Sequence, residues 1–302
     1  MKGVAFCPAH VTGFFKAELD ENDNLEKLGS QGAGFSIERG VKSTVLVRKK
    51  TKYDESNFHL NIIGYQTDNA QVSEFVIRKF LDLAGPDVFV DVDHNITVPV
   101  GYGLGCSSAV ALSLGLALNQ ALNTGLTKEQ VGLIAHEAEI KCQTGLGDVL
   151  ASYHGGFEIR TKSGAPGHGT VKKLKYGNYS VVIICFSPIS TKRFISERLH
   201  SINGLGGKMV TKLEQSKSII EFQDMSLQFA KYVDVLTPKM SRVISDLNKN
   251  RINCGVAMFG ETVFSLVPKG KEKKVIDILK KYDDGIVITS KIDNAGARIT
   301  SQ

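Results

Sequence analysis

The run Pro99-Val-Gly-Tyr-Gly-Leu-Gly-Cys-Ser-Ser-Ala109 constrains this chain more than any other stretch. Three glycines and two serines lead directly into a strongly helical run over residues 109–118. Glycine lets the backbone approach a ligand closely and adopt positive φ. A helix that opens behind such a loop turns unpaired N–H groups and the positive end of its dipole back into it. That combination suits a phosphate. Residues 106–120 are apolar almost all round, so this helix is expected to lie in the core and to hold its N-terminus rigidly.

The chain's 302 residues are enough for one large or two ordinary domains with a real core. No run reaches the length of a membrane span, and the N-terminal apolar stretch is too short for a signal peptide, so no membrane association is expected. The five cysteines are scattered without a C-x-x-C pair. This speaks against a disulfide framework or zinc ribbon and for a reducing, cytoplasmic setting. A net charge of +6 suits anionic substrates. The densest basic cluster, Lys269 to Lys281, alternates with Val275, Ile276, Ile278 and Leu279 at helical spacing. It reads as a solvated helix face, and no nucleic-acid partner is expected.

Strands are expected over 58–65, 87–93, 96–100, 156–161 and 180–186, and an amphipathic helix over 73–84. Thr127-Lys-Glu-Gln130 is a capping-box pattern that opens a further helix. On that helix His136, Glu139 and Gln143 share one stripe, and Thr144-Gly-Leu-Gly147 then breaks it and delivers Asp148. Turn-formers over 162–169 and 175–179 suggest connections and a domain boundary near residue 175. Beyond it the pattern predicts helices over 208–232, 239–248 and 270–282, a hairpin of 255–259 and 262–267 turning at Gly260-Glu261, and a strand over 285–290. Without strict β-α-β alternation the fold class is α+β.

The loop is not a Walker P-loop, since it lacks the Lys-Ser/Thr ending. Nor is it a dinucleotide turn, because Gly101, Gly103 and Gly105 are spaced G-x-G-x-G. Phosphoryl transfer needs donors along the polyphosphate, a Mg²⁺ bridging phosphate oxygens, and a carboxylate near the attacking hydroxyl. Ser107 at the mouth of the buried helix and Glu139 on the next helix can supply Mg²⁺ ligands, and Asp148 can face the nucleophile. The sequence leaves open whether Asp148 acts as base or as positioning group.

These residues resemble the GHMP kinases, whose central pattern is P-x-x-x-G-L-G-S-S-A. Cys106 replaces the first serine and Ser107 falls on the second. Ala138-Glu139 and Thr144-Gly-Leu-Gly-Asp148 resemble that family's Mg²⁺-glutamate and catalytic-aspartate segment, with Glu137 the competitor to Glu139 because some members place the Mg²⁺ acid further from the aspartate. The third, glycine-rich motif is poorly matched, with only 257–264 in its place. A narrower resemblance runs along nearly the whole chain. Residues 5–15 with Gly13-Phe-Phe15, Gly29-Ser-Gln-Gly-Ala-Gly-Phe-Ser36 and Ala135-His-Glu-Ala-Glu139 are similar to the archaeal pantoate kinases.

The resemblance implies a fold with an N-terminal domain like ribosomal protein S5 domain 2 (1–175, ATP-binding) and a ferredoxin-like C-terminal domain with extra helices (176–302). It also implies ATP and Mg²⁺, pantoate as the small-molecule substrate, and a homodimer. Gly101, Gly103, Leu104, Gly105, Cys106, Ser107 and Ser108 would cradle phosphates. Ser107 and Glu139 would hold Mg²⁺, with Asp148 at the reacting hydroxyl. Ser30, His136, Arg160 and Thr191 fall on pantoate-binding positions. An arginine is also the best side-chain partner for the pantoate carboxylate. His10, in the first loop, faces the expected substrate side. An adenine pocket is expected near 58–66 or 93–99. The alternatives are a GHMP kinase for another acceptor alcohol, an S5-fold RNA-binding protein, and a non-catalytic ligand sensor.

Overall fold

The computed structural model describes residues 1–20, 24–67 and 70–300. In chain order the elements are β1 (Lys2–Glu18), β2 (Gly29–Lys49), β3 (Phe58–Gly64), α1 (Gln71–Ala84), β4 (Val88–Ile96), α2 (Cys106–Leu122), α3 (Lys128–Cys142), α4 (Asp148–His154), β5 (Phe157–Lys162) and β6 (Thr170–Lys173). They continue with β7 (Tyr179–Pro188), α5 (Thr191–Ser216), α6 (Ile219–Tyr232), α7 (Pro238–Lys249), β8 (Gly255–Ala257), β9 (Gly260–Pro268), α8 (Glu272–Leu279), β10 (Ile286–Lys291) and β11 (Arg298–Ile299). The α+β class holds. One sheet has the order β11-β1-β2-β4-β3, with β5 on β2 and β6 on β5, and a four-stranded sheet runs β10-β7-β9-β8. The chain's last strand therefore returns to the first sheet, beside β1.

β1 and β2 form the spine, a long antiparallel pair with register shifts at Pro8/Ala9 and Thr12/Phe14. No strand is expected there from the sequence, because both are covered on two sides through most of their length and carry glycines in place of apolar–polar alternation. α2 is buried on nearly every side, as its composition requires. Thr127 caps α3 with a complete capping box: its hydroxyl accepts from Gln130 N and the Gln130 side chain accepts from Thr127 N.

Several boundaries differ from the sequence pattern. β4 ends at Ile96, and the next residues leave the sheet for the glycine loop, with the Thr97 hydroxyl and amide both bonded to Gly40 O. The helix expected over 208–232 is two helices, because Lys217 takes a left-handed conformation (φ 52°) and Ser218 caps a new start by accepting from Glu221 N. The hairpin turns at Met258-Phe259 rather than at Gly260-Glu261, which lie in β9. Thr170–Lys173, expected to follow a loop without structure of its own, is a short edge strand. Among the described residues no helix is long and apolar enough to cross a membrane.

Candidate active site

The glycine loop enters α2 as its residue pattern suggests. Gly105 is the N-cap at φ +56°, a conformation that favours glycine, and no side chain caps the helix, so the first-turn amides stay available to a ligand. The loop is seated against three other segments. His10 N donates to Leu104 O, Ile189 N donates to Gly101 O, and the Thr262 hydroxyl donates to Tyr102 O. At Gly103 a Cβ would lie 2.2 Å from Met258 O, and at Gly260 one would lie 2.1 Å from Tyr102 O. The β8–β9 turn thus occupies the place of the poorly matched third motif by packing directly on the glycine loop.

A cavity of about 370 Å³ opens in front of this loop. Its walls include Gly101, Gly103–Cys106 and Ser107 from the loop, Thr144 and Asp148 beyond α3, Thr12 from β1, and Thr191 with Lys192 from the start of α5. Ser107, Asp148 and Thr191, far apart in sequence, meet here. Thr191 is the first residue of α5, whose N-cap Ser190 accepts from Arg193 N, so a second helix N-terminus faces the cavity. Val100, Cys106, Ser107 and Thr144 also border a smaller, more apolar pocket of about 110 Å³ with Ile62, Val72, Ile96 and Val110.

Asp148 is not carried on a free turn but opens the short helix α4. Its Oδ1 lies 2.8 Å from His10 Nδ1 and accepts from the Thr12 hydroxyl at 3.1 Å. The other ring nitrogen of His10 lies 2.8 Å from Glu158 Oε1, which also accepts from Arg160 Nη1 at 2.7 Å. His10, Glu158 and Arg160 are wholly buried. Burial works against ionising both His10 and Asp148, and their partners overcome it. The bonds and charges of Asp148 and Glu158 raise the His10 pKa, while the His10 bond, the His10 and Arg160 charges and the Thr12 bond lower that of Asp148.

Strand periodicity builds this cluster. His10 lies within β1 rather than in a first loop, two residues from Thr12, and Glu158 and Arg160 are two apart on β5. Both strands pair with β2, where Thr12 and Glu158 are register partners of the same Gly34. A Cβ on Gly34 would lie 2.6 Å from His10 Cε1 and Nε2, so the missing side chain is what lets the ring reach across β2. The sequence pattern overlooks Glu158 and Thr12; the available signal is the two-residue spacing to Arg160 and to His10.

Glu139 is 2 % exposed; its Oε1 accepts from the Thr144 hydroxyl at 2.6 Å and its Oε2 has no hydrogen-bond partner. Burial pushes its pKa up to about 7; the neighbouring Asp148 charge adds to this, and the Thr144 and Ser107 hydroxyls oppose it. A Cβ on Gly145 would sit 1.9 Å from Glu139 Oε2 and 3.7 Å from Asp148 Oδ2, so the glycine leaves an open cradle between the two carboxylates. An orphaned carboxylate oxygen at such a cradle, with a serine hydroxyl close by, fits Mg²⁺, which takes one or two protein ligands and completes its shell with phosphate and water. Glu137 points elsewhere, pairing with Lys79 on α1 at 3.1 Å.

The remaining expected residues lie behind the cavity wall. The Ser30 hydroxyl and Arg160 Nε face one another across Gly147, where a Cβ would lie 2.3 Å and 2.8 Å from them. Arg160 Nε has no partner. His136 does not line the cavity. Its Nε2 bonds the carbonyls of Leu25 (3.1 Å) and Leu28 (3.0 Å), tying the turn that leads into Ser30. Burial keeps it below its ordinary pKa. Gln143, expected on a stripe with His136 and Glu139, is instead the C-cap of α3 at φ 56°.

Comparison with known proteins gives the family. The GHMP kinases N terminal domain matches residues 71–156, which hold α2, α3 and α4. The pantoate kinase of Methanocaldococcus jannaschii is 32 % identical over 277 residues, covering 91 % of this chain and 96 % of that one. The pantoate kinase of Thermococcus kodakarensis is 30 % identical over 281 residues, covering 91 % of both. A solved structure described as a phosphotransferase related to the CoA biosynthesis pathway superposes with a TM-score of 0.88 at 28 % identity, over 99 % of each chain. The chain, with its glycine loop, paired carboxylates and buried arginine, belongs to the pantoate kinase family of GHMP kinases.

Proposed function

We propose that this protein phosphorylates pantoate with ATP, giving 4-phosphopantoate and ADP on a route to coenzyme A. The observation that carries this is the seat of Asp148. On one side of it lies the cavity of the glycine loop. On the other, one residue away at Gly147, gather the Ser30 hydroxyl and the unpaired Nε of Arg160. An acid bearing a primary hydroxyl can place its carboxylate at that guanidinium and its hydroxyl at Asp148, facing a terminal phosphate.

GHMP kinases use ATP. Here the amides of Cys106, Ser107 and Ser108 receive the phosphates, with the loop glycines giving the backbone room to close around them. The apolar pocket of Ile62, Val72, Ile96 and Val110 takes the base. Ser107 and Glu139 would hold Mg²⁺, which would supply charge neutralisation at the transferring phosphate. Asp148 Oδ2 accepts a hydrogen bond from the attacking hydroxyl and aims it. Because His10 stabilises its ionised form, Asp148 is a weak base and acts mainly by orientation. The hydroxyl oxygen attacks the γ-phosphorus, the bond to ADP breaks and ADP departs, and the hydroxyl proton is released to solvent water.

Thr191 and Lys192 close the cavity from α5. His136 serves the substrate side through the turn that presents Ser30. Residues 1–175 form the ATP-binding unit and 176–302 the second unit, with β11 of the latter laid back on β1. Five free cysteines suit the cytoplasm, and the working form is a homodimer, checked by light scattering. The deciding experiment is ADP release with pantoate, mevalonate, homoserine and shikimate side by side. Turnover is expected with pantoate, and turnover with another acceptor alone would refute the assignment.

A further inference from the structure

The wholly buried Glu158 does not line the cavity, yet it bonds the residue that bonds Asp148. A carboxylate only accepts hydrogen bonds. His10 lies 2.8 Å from a carboxylate oxygen at each ring nitrogen, so with both acids ionised each nitrogen must donate and the ring is an imidazolium. A neutral ring, with one donor, can satisfy only one of the two. The second carboxylate, Glu158, therefore decides the ring's protonation state and its tilt. Among the described residues the charged groups acting on His10 are Asp148 from α4 and Glu158 from β5. Arg160 reaches the ring through Glu158, the Thr12 hydroxyl on β1 lies 3.3 Å from His10 Nδ1, and a Cβ on Gly34 of β2 or on Gly105, the N-cap of α2, would meet His10.

We propose that Glu158 is a positioning residue for phosphoryl transfer: it holds His10 as an imidazolium, which ties Asp148 Oδ1 and leaves Oδ2 alone for the acceptor hydroxyl. Thr12, donating to the same Oδ1, reinforces that choice of oxygen. Arg160 Nη1 on Glu158 Oε1 locks the far end, so the same guanidinium that faces Ser30 also anchors the chain of bonds leading to Asp148. Acceptor site and reacting carboxylate are thereby held in one rigid frame across β2. This rests on the reading of Asp148 as the group that orients the acceptor.

The test is the full chain carrying Glu158→Gln, assayed across pH for pantoate-dependent ADP release. The amide keeps the shape of the side chain but not its charge, so His10 loses its proton at lower pH. The basic limb of kcat is expected to move down by about one pH unit or more. At pH 8 kcat is expected to fall about ten-fold while the KM for ATP stays within about two-fold. A profile superimposable on that of the wild type overturns the proposal.

Nitrogen-15 spectra of the wild-type histidine rings give a reading independent of turnover and of any variant's folding. Two protonated nitrogens on His10 at pH 7.5 are expected, and one bare nitrogen there overturns the proposal as well. If the wild type releases no ADP with pantoate, the functional assignment fails, while the ring spectra still judge the role of Glu158.

Discussion

The glycine loop and the buried cluster behind it are two halves of one site built on opposite terms. The loop works with backbone: contiguous residues, positive-φ glycines and uncapped amides at the start of α2. The cluster works with side chains that the chain brings together from afar, His10 bonding to residues 138 and 148 positions away. A loop of amides offers partial positive charge at little desolvation cost. Four buried ionisable groups offset theirs only if every partner stays in place. One half should therefore be sensitive to any change in its glycine backbone, and the other to the loss of any one side chain.

That contrast is open to breaking. The largest effect is expected at Asp148→Ala, where kcat should fall at least about a thousand-fold, ~4 kcal/mol of barrier, with folding retained by circular dichroism. Near-wild-type turnover would collapse the distinction. Next comes Gly145→Ala, whose new Cβ meets Glu139 Oε2 and closes the cradle. It should lower kcat about a hundred-fold and raise the Mg²⁺ concentration needed for half activity.

A third check uses pH. A carboxyl whose pKa is raised on folding favours the fold only while protonated. The Glu139 contribution is therefore complete below about pH 4.5 and lost as pH rises through about 7. Between pH 6 and 8 the ligand-free melting temperature should drop by about 2 °C or more, while the stabilisation given by Mg²⁺–ATP grows. Glu139→Gln should flatten both trends in a thermal-shift series. Smallest is Glu137→Gln. It removes only a partly exposed pair with Lys79, so stability should change by less than ~0.5 kcal/mol and turnover by less than about two-fold.

What can be read in the sequence follows the same divide. The loop, the burial of α2 and the Thr127 capping box are local patterns, visible within a few residues. β1 and β2 are hidden because strands covered on both faces lose their alternation, and Gly32 and Gly34 look like turn signals. Those glycines are instead the gaps through which Arg160 and His10 pass. Glu139 and Asp148 can be picked out because phosphoryl transfer needs acids near the loop. Glu158 cannot, since only the register of β5 on β2 brings it to His10. Arg160 is expected from the sequence to clamp a substrate; the structure adds that two of its nitrogens already serve Glu158 and Thr12.

The back-to-back seat of Gly103 and Gly260 has a consequence for how such a chain can change. A methyl group at either position meets the other segment's backbone near 2 Å, so neither site can acquire a side chain unless its counterpart retreats. Gly103 lies in the loop that leaves the first sheet and Gly260 opens β9 of the second, yet each limits what the other can become. The phosphate loop and the β8–β9 turn cannot drift independently. A graft of the loop into another scaffold would fail unless the turn travelled with it.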